Sequence, residues 1–101
     1  MSALTPEGKV KAKVVKLLKA MNIWYFFPAN NGFGKSGIPD IIAIVNGEFV
    51  GIEVKSATGK PTELQKICGR QIEEAGGTWL VVSDDVTLEV LAAVIQNRKD
   101  R

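Results

Sequence analysis

Three residues in this 101-residue chain have types and spacing suited to chemistry: Asp40, Glu53 and Lys55. They lie in "GIPDIIAIVNGEFVGIEVKS", residues 37–56, where two apolar runs flank Asn46-Gly47. Each run carries an acid among isoleucines and valines that look bound for a core. The chain has no histidine and a single cysteine, Cys68. Histidine-assisted nucleophiles, histidine general bases and histidine metal sites are thereby excluded, as are an internal disulfide and a cysteine zinc site. Chemistry is left to carboxylates, lysine, hydroxyls or a hard cation held by carboxylates.

Register decides whether the acids meet. Asn-Gly between apolar runs is the strongest short hairpin signal. A two-residue turn there sets Val45 opposite Glu48, Ile44 opposite Phe49, Ala43 opposite Val50, Ile42 opposite Gly51 and Ile41 opposite Ile52. One step further, Asp40 faces Glu53, with Cβ atoms about 4.5–5.5 Å apart on one face. Lys55, two residues beyond Glu53, shares that face. Facing carboxylates repel, and each unpaired buried charge costs roughly several kcal/mol. A proton on one acid, the Lys55 ammonium, or a divalent cation bridging both makes the pair tolerable. A hairpin end emerging into water as a solvated cluster is the alternative, and a bulge would break the register.

The elements that must carry these residues are legible around them. Thr5-Pro6 caps a first helix, with Val10, Val14, Leu17, Leu18 and Met21 on its inner stripe. Glu7 falls on the edge of that stripe; Lys9, Lys13 and Lys16 point away. "IWYFF", residues 23–27, reads as a strand, with Trp24 as a core residue, and "PANNGFGKSG", residues 28–37, as a loop. Residues 38–45 and 48–56 form the hairpin. Thr62 caps a second helix burying Leu64, Ile67, Cys68, Ile72 and Ala75, which stops at Gly76-Gly77. "TWLVV", residues 78–82, is a fourth strand, and Trp79 a second core aromatic. Ser83-Asp84-Asp85 caps a last helix to about residue 97, with Val86, Val90, Ala93 and Val94 inward and a frayed tail at about 98–101. The order is α-β-β-β-α-β-α, an α/β (α+β) chain read as one domain, 1–101.

Net charge is only +2, no strong nucleic-acid signature by itself. No apolar run approaches the roughly 20 residues of a membrane helix, and the first residues lack the apolar block of a signal peptide. The cytoplasm is the expected location, with no membrane partner.

Pro39-Asp40, followed by Glu53-Val54-Lys55, resembles the signature of the PD-(D/E)XK nuclease superfamily. "GIPD", "GIEVKS", "TELQ" and "EEAGGTWLVV" together resemble the VRR-NUC family, more narrowly its small stand-alone members from phages and bacteria. The likeness spans roughly residues 5–85, without an evident valine-arginine-arginine element. It implies a restriction-endonuclease-like core, a central mixed sheet flanked by helices, with the motif on the central hairpin.

By that resemblance Asp40, Glu53 and the Val54 backbone carbonyl bind metal, with Glu7 as a further ligand, direct or through water. The all-oxygen set suits Mg²⁺ or Mn²⁺. Lys55 would orient the attacking water or stabilise charge on the phosphate. Gln65 stands where the family has a glutamine near the active site, and equally completes a capping box with Thr62. Lys35, Ser36 and Lys60 are candidates for phosphate contact. The implied activity is metal-dependent, structure-selective DNA cleavage, on four-way junctions or flaps, by a homodimer. A binding module with the same fold and no turnover is the rival.

Overall fold

The computed structural model describes residues 5–29 and 34–101; residues 30–33 of the expected loop, and 1–4, lie outside the described residues. The elements are α1 (Pro6–Ala20), β1 (Trp24–Phe26), β2 (Ile41–Val45), β3 (Glu48–Val54), α2 (Glu63–Glu74), β4 (Thr78–Val82) and α3 (Asp85–Lys99), in the expected order. One mixed sheet runs β1-β2-β3-β4; β1, β2 and β3 are antiparallel and β4 lies parallel to β3.

Local chemistry explains the boundaries. Thr5 Oγ1 accepts from Gly8 N at 3.0 Å, and Pro6 opens α1 without forfeiting an intrahelical bond. Asn46 and Gly47 have φ of 50° and 82°, the left-handed pair a tight two-residue hairpin turn needs. The register from Val45↔Glu48 to Ile41↔Ile52 is the one the turn dictates. β2 starts at Ile41 rather than at 38, because Pro39 has no N–H to give the ladder.

One sheet face presents Ala43, Val45, Val50, Ile52, Val54 and Val82, and packs on Val14 and Leu18 of α1 and Leu91 and Ile95 of α3. α2 covers β4 on the other face. A Cβ on Gly69 would run into the Trp79 indole, so the glycine is what lets helix and strand approach.

Four expectations need correcting. The inner stripe of α2 is Gln65, Cys68, Gly69 and Ile72, while Leu64, Ile67 and Ala75 are exposed, because the approach at Gly69 rotates the helix toward Trp79. In α3 two apolar stripes compete, and the bulkier Leu88, Leu91 and Ile95 win; Val86 and Val90 are left in solvent and Ala93 is exposed. Trp24 is 64 % exposed, because α2 covers the β4 side of its face and leaves β1 open. The end is not frayed: α3 runs to Lys99, and Glu48 binds Arg98 at 2.7 Å and Arg101 at 3.1 Å. Asn46 Nδ2 donates to the carbonyls of Arg98 and Arg101, fastening the tail to the hairpin turn.

Candidate active site

The site is built where β2 begins and β3 ends. Gly37, at φ 77°, lets the chain pass so close to the start of α2 that a Cβ would strike the Leu64 carbonyl. That approach delivers Pro39 and Asp40 to the strand. Asp40 Oδ2 accepts from Val54 N at 2.8 Å and so substitutes for the next rung of the ladder. Pro39 would be Val54's partner in register, and it has no N–H to offer the Val54 carbonyl.

Glu53 is wholly buried. Its Oε1 accepts from Gln65 Nε2 at 3.0 Å; its Oε2 is buried and meets no donor among the described residues. Burial pushes its carboxyl up to about 8, helped by the adjacent Asp40 carboxylate, while the Lys55 charge pulls it down and that of Glu7 adds to the rise. Four ionisable groups, from α1, the approach to β2 and the end of β3, therefore share one electrostatic neighbourhood.

Gln65 makes both a local and a long-range contact. Its Oε1 accepts from Thr62 N at 2.8 Å, closing the capping box, and its Nε2 holds Glu53. Lys35 and Ser36 line a groove of about 450 Å³ together with Asp40 and Gln65; Lys60, exposed in the turn before α2, does not line it. Two residues on the same groove escaped the sequence reading, Lys11 and Phe27. The signal for Lys11 was available: it stands one helical turn after Glu7 and so shares its face.

Among the described residues no three histidine, cysteine, aspartate or glutamate side chains form a ready-made metal cage. The atoms present nonetheless fit a divalent cation. The donor-less Glu53 Oε2 lies beside a second carboxylate, every available donor is oxygen, and a burial-raised carboxyl gains most from a nearby positive charge.

The topology, with Pro39-Asp40 and Glu53-Val54-Lys55 on the central hairpin, defines a class, the restriction-endonuclease-like chains of PD-(D/E)XK type. The family model described as archaeal Holliday junction resolvase (Hjc) matches residues 24–75, just over half of the chain. The chain belongs to that family, one of the PD-(D/E)XK nucleases. The match runs from β1 through α2, across Asp40, Glu53, Lys55 and Gln65, and leaves Glu7 outside. No curated protein matches the chain.

Proposed function

We propose that the chain is a divalent-metal-dependent, structure-selective DNA endonuclease that hydrolyses phosphodiesters in branched DNA, four-way junctions foremost. The observation that carries the reading is the buried Glu53 carboxylate, one oxygen without a donor, held against Asp40 at the end of the family's hairpin. The narrower likeness to the VRR-NUC family belongs to the same reading and rests on the stretches quoted above.

Asp40, Glu53 and the Val54 carbonyl would hold Mg²⁺ or Mn²⁺, with Glu7 acting directly or through water. Bound there, such an ion would supply Lewis-acid charge and make a nearby water more acidic. Lys55 orients the attacking water or offsets charge growing on the phosphate. Gln65 fixes the Glu53 carboxylate through the bond at 3.0 Å. Lys35 and Ser36 hold backbone phosphates at the groove, and Lys60 meets the strand further out. Water forms the new bond to phosphorus while the bond to the 3′ oxygen breaks, leaving a 5′-phosphate and a 3′-hydroxyl.

A four-way junction needs paired incisions and the described residues offer one such centre, so the active form is a two-fold homodimer. The sheet face left open by α2 suits that contact better than Val86 and Val90 of α3. Trp24, Ile44 and Phe49 lie directly opposite one another across β1, β2 and β3, an apolar row that is 64 %, 36 % and 37 % exposed.

The test is cleavage of labelled four-way junction, flap, nicked, single-stranded and duplex DNA with Mg²⁺, with Mn²⁺ and with chelator. Metal-dependent cutting of branched substrates is expected. Binding without cutting under every metal condition would leave the non-catalytic module standing instead.

A further inference from the structure

Beside the acid pair, the groove has a wall that the nuclease motif does not include. Lys11 projects into it from α1, and its Nζ lies 4.4 Å from the centre of the Phe27 ring. Phe27 follows β1 and is 49 % exposed, although an aromatic ring normally seeks cover. It touches Tyr25 edge-on at 5.8 Å between ring centres, which holds its position without hiding it.

Among the described residues the Lys11 charge has no acidic partner, whereas Lys13 binds Asp85 at 2.9 Å and Lys66 binds Glu63 at 3.3 Å. A cation over a half-open ring contributes only about 0.5–1 kcal/mol at an exposed site, too little to explain the pair as a fastening of the fold. Lys35 and Ser36 stand on the same groove, and it reaches Asp40 and Gln65. Its volume of about 450 Å³ lies within the roughly 300–1,000 Å³ of small-ligand sites, far short of a duplex.

We propose that Lys11 and Phe27 form a subsite for one unpaired nucleotide next to the scissile phosphodiester, the base or sugar resting on the Phe27 ring and a flanking phosphate on Lys11. The proposal rests on the nuclease reading of Asp40 and Glu53 and names what selects the substrate. A base stacked inside a continuous duplex must leave its neighbours to reach the ring, whereas a base at a branch point or flap is already loosened. Preference for branched DNA then arises from a seat that duplex DNA cannot fill without unstacking.

The experiment uses the whole chain, wild type and the variants Phe27→Leu and Lys11→Met, with Lys11→Arg as the conservative control. Both residues are accessible, and circular dichroism establishes that each variant is folded. The probe is flap DNA carrying 2-aminopurine at the unpaired position beside the branch, bound in chelator so that nothing is cut. Wild type is expected to quench the fluorophore. Phe27→Leu should lose the quenching and bind the flap at least about fivefold more weakly, with duplex binding unchanged. Lys11→Met should reduce the salt dependence of binding by about one phosphate contact and raise KM with kcat within about twofold, and Lys11→Arg should recover both. Unaltered quenching and affinity in both Phe27→Leu and Lys11→Met would overturn the subsite even if wild type cuts branched DNA. Loss of those signals in a protein that cuts no DNA under any metal condition would uphold the subsite and defeat the nuclease reading.

Discussion

Replacing Glu53 by glutamine should make the metal-free protein more stable, and increasingly so as pH rises. In the folded chain the Glu53 carboxyl is pushed up to about 8 by burial and by Asp40, against 4.5 for an ordinary glutamate. Between those two values the unfolded chain has released the proton and the folded chain still holds it. Stability therefore falls with rising pH across that window, is unaffected by this group below 4.5, and carries the full penalty above 8. At about 1.4 kcal/mol per pH unit, the loss between pH 4.5 and neutrality is roughly 3 kcal/mol. That is a large share of the roughly 5–15 kcal/mol that holds a typical domain together. Glutamine never pays this cost. It keeps an oxygen to accept from Gln65 Nε2, and it offers an amide N–H where Glu53 Oε2 meets no donor. Denaturant unfolding of both proteins in chelator, at about pH 4, 7 and 9, reads the difference. The curves should nearly coincide at the lowest pH and separate by roughly 3 kcal/mol at neutrality. Added Mg²⁺ or Mn²⁺ should restore wild type and leave Glu53→Gln unmoved. Parallel stability profiles for the two proteins, with no metal effect on either, would refute the account of a destabilised carboxylate kept for a cation.

Other outcomes follow from the same geometry. Asp40→Asn and Lys55→Ala should each reduce cleavage of branched DNA by about 100-fold or more while DNA affinity stays close to wild type, read by gel assay and fluorescence anisotropy. Gln65→Ala removes both the cap acceptor and the Glu53 donor and should cost about 1–3 kcal/mol in denaturant unfolding, with kcat reduced. Glu48→Ala, which strands Thr78, Arg98 and Arg101, should destabilise by about 1–3 kcal/mol. The Thr78 hydroxyl and the Arg98 guanidinium hold the Glu48 carboxyl below its usual value, so its contribution is present above that usual value and disappears as acid protonates it, a trend the alanine variant should lack. Trp24→Ser should shift the mass seen by sedimentation from dimer to monomer and weaken junction cleavage more than flap cleavage.

The parts of the site that local chemistry dictates were readable before the fold was known. Asn46-Gly47 admits one tight turn, that turn admits one register, and the register brings Asp40 to Glu53. What the sequence concealed depends on long-range packing. α3 carries two apolar stripes, and periodicity alone favoured Val86 and Val90, whereas the room beneath the sheet favours Leu91 and Ile95. The inner face of α2 turns on Gly69, whose missing side chain admits Trp79 from a strand ten residues later. Trp24 carries the composition of a core residue, but the helix that would bury it lies over the other end of the sheet. The second role of Gln65 was half visible, since the capping box is local and the Glu53 contact is not.

Because the Gln65 amide accepts from Thr62 N through one atom and donates to Glu53 through the other, it cannot rotate without surrendering both bonds. A helix start and a buried acid are thereby geared together. If a cation draws the Glu53 oxygens toward itself, the opening turn of α2 should be tugged with them, and the exchange rate of the Thr62 amide proton would then gauge what the acid holds.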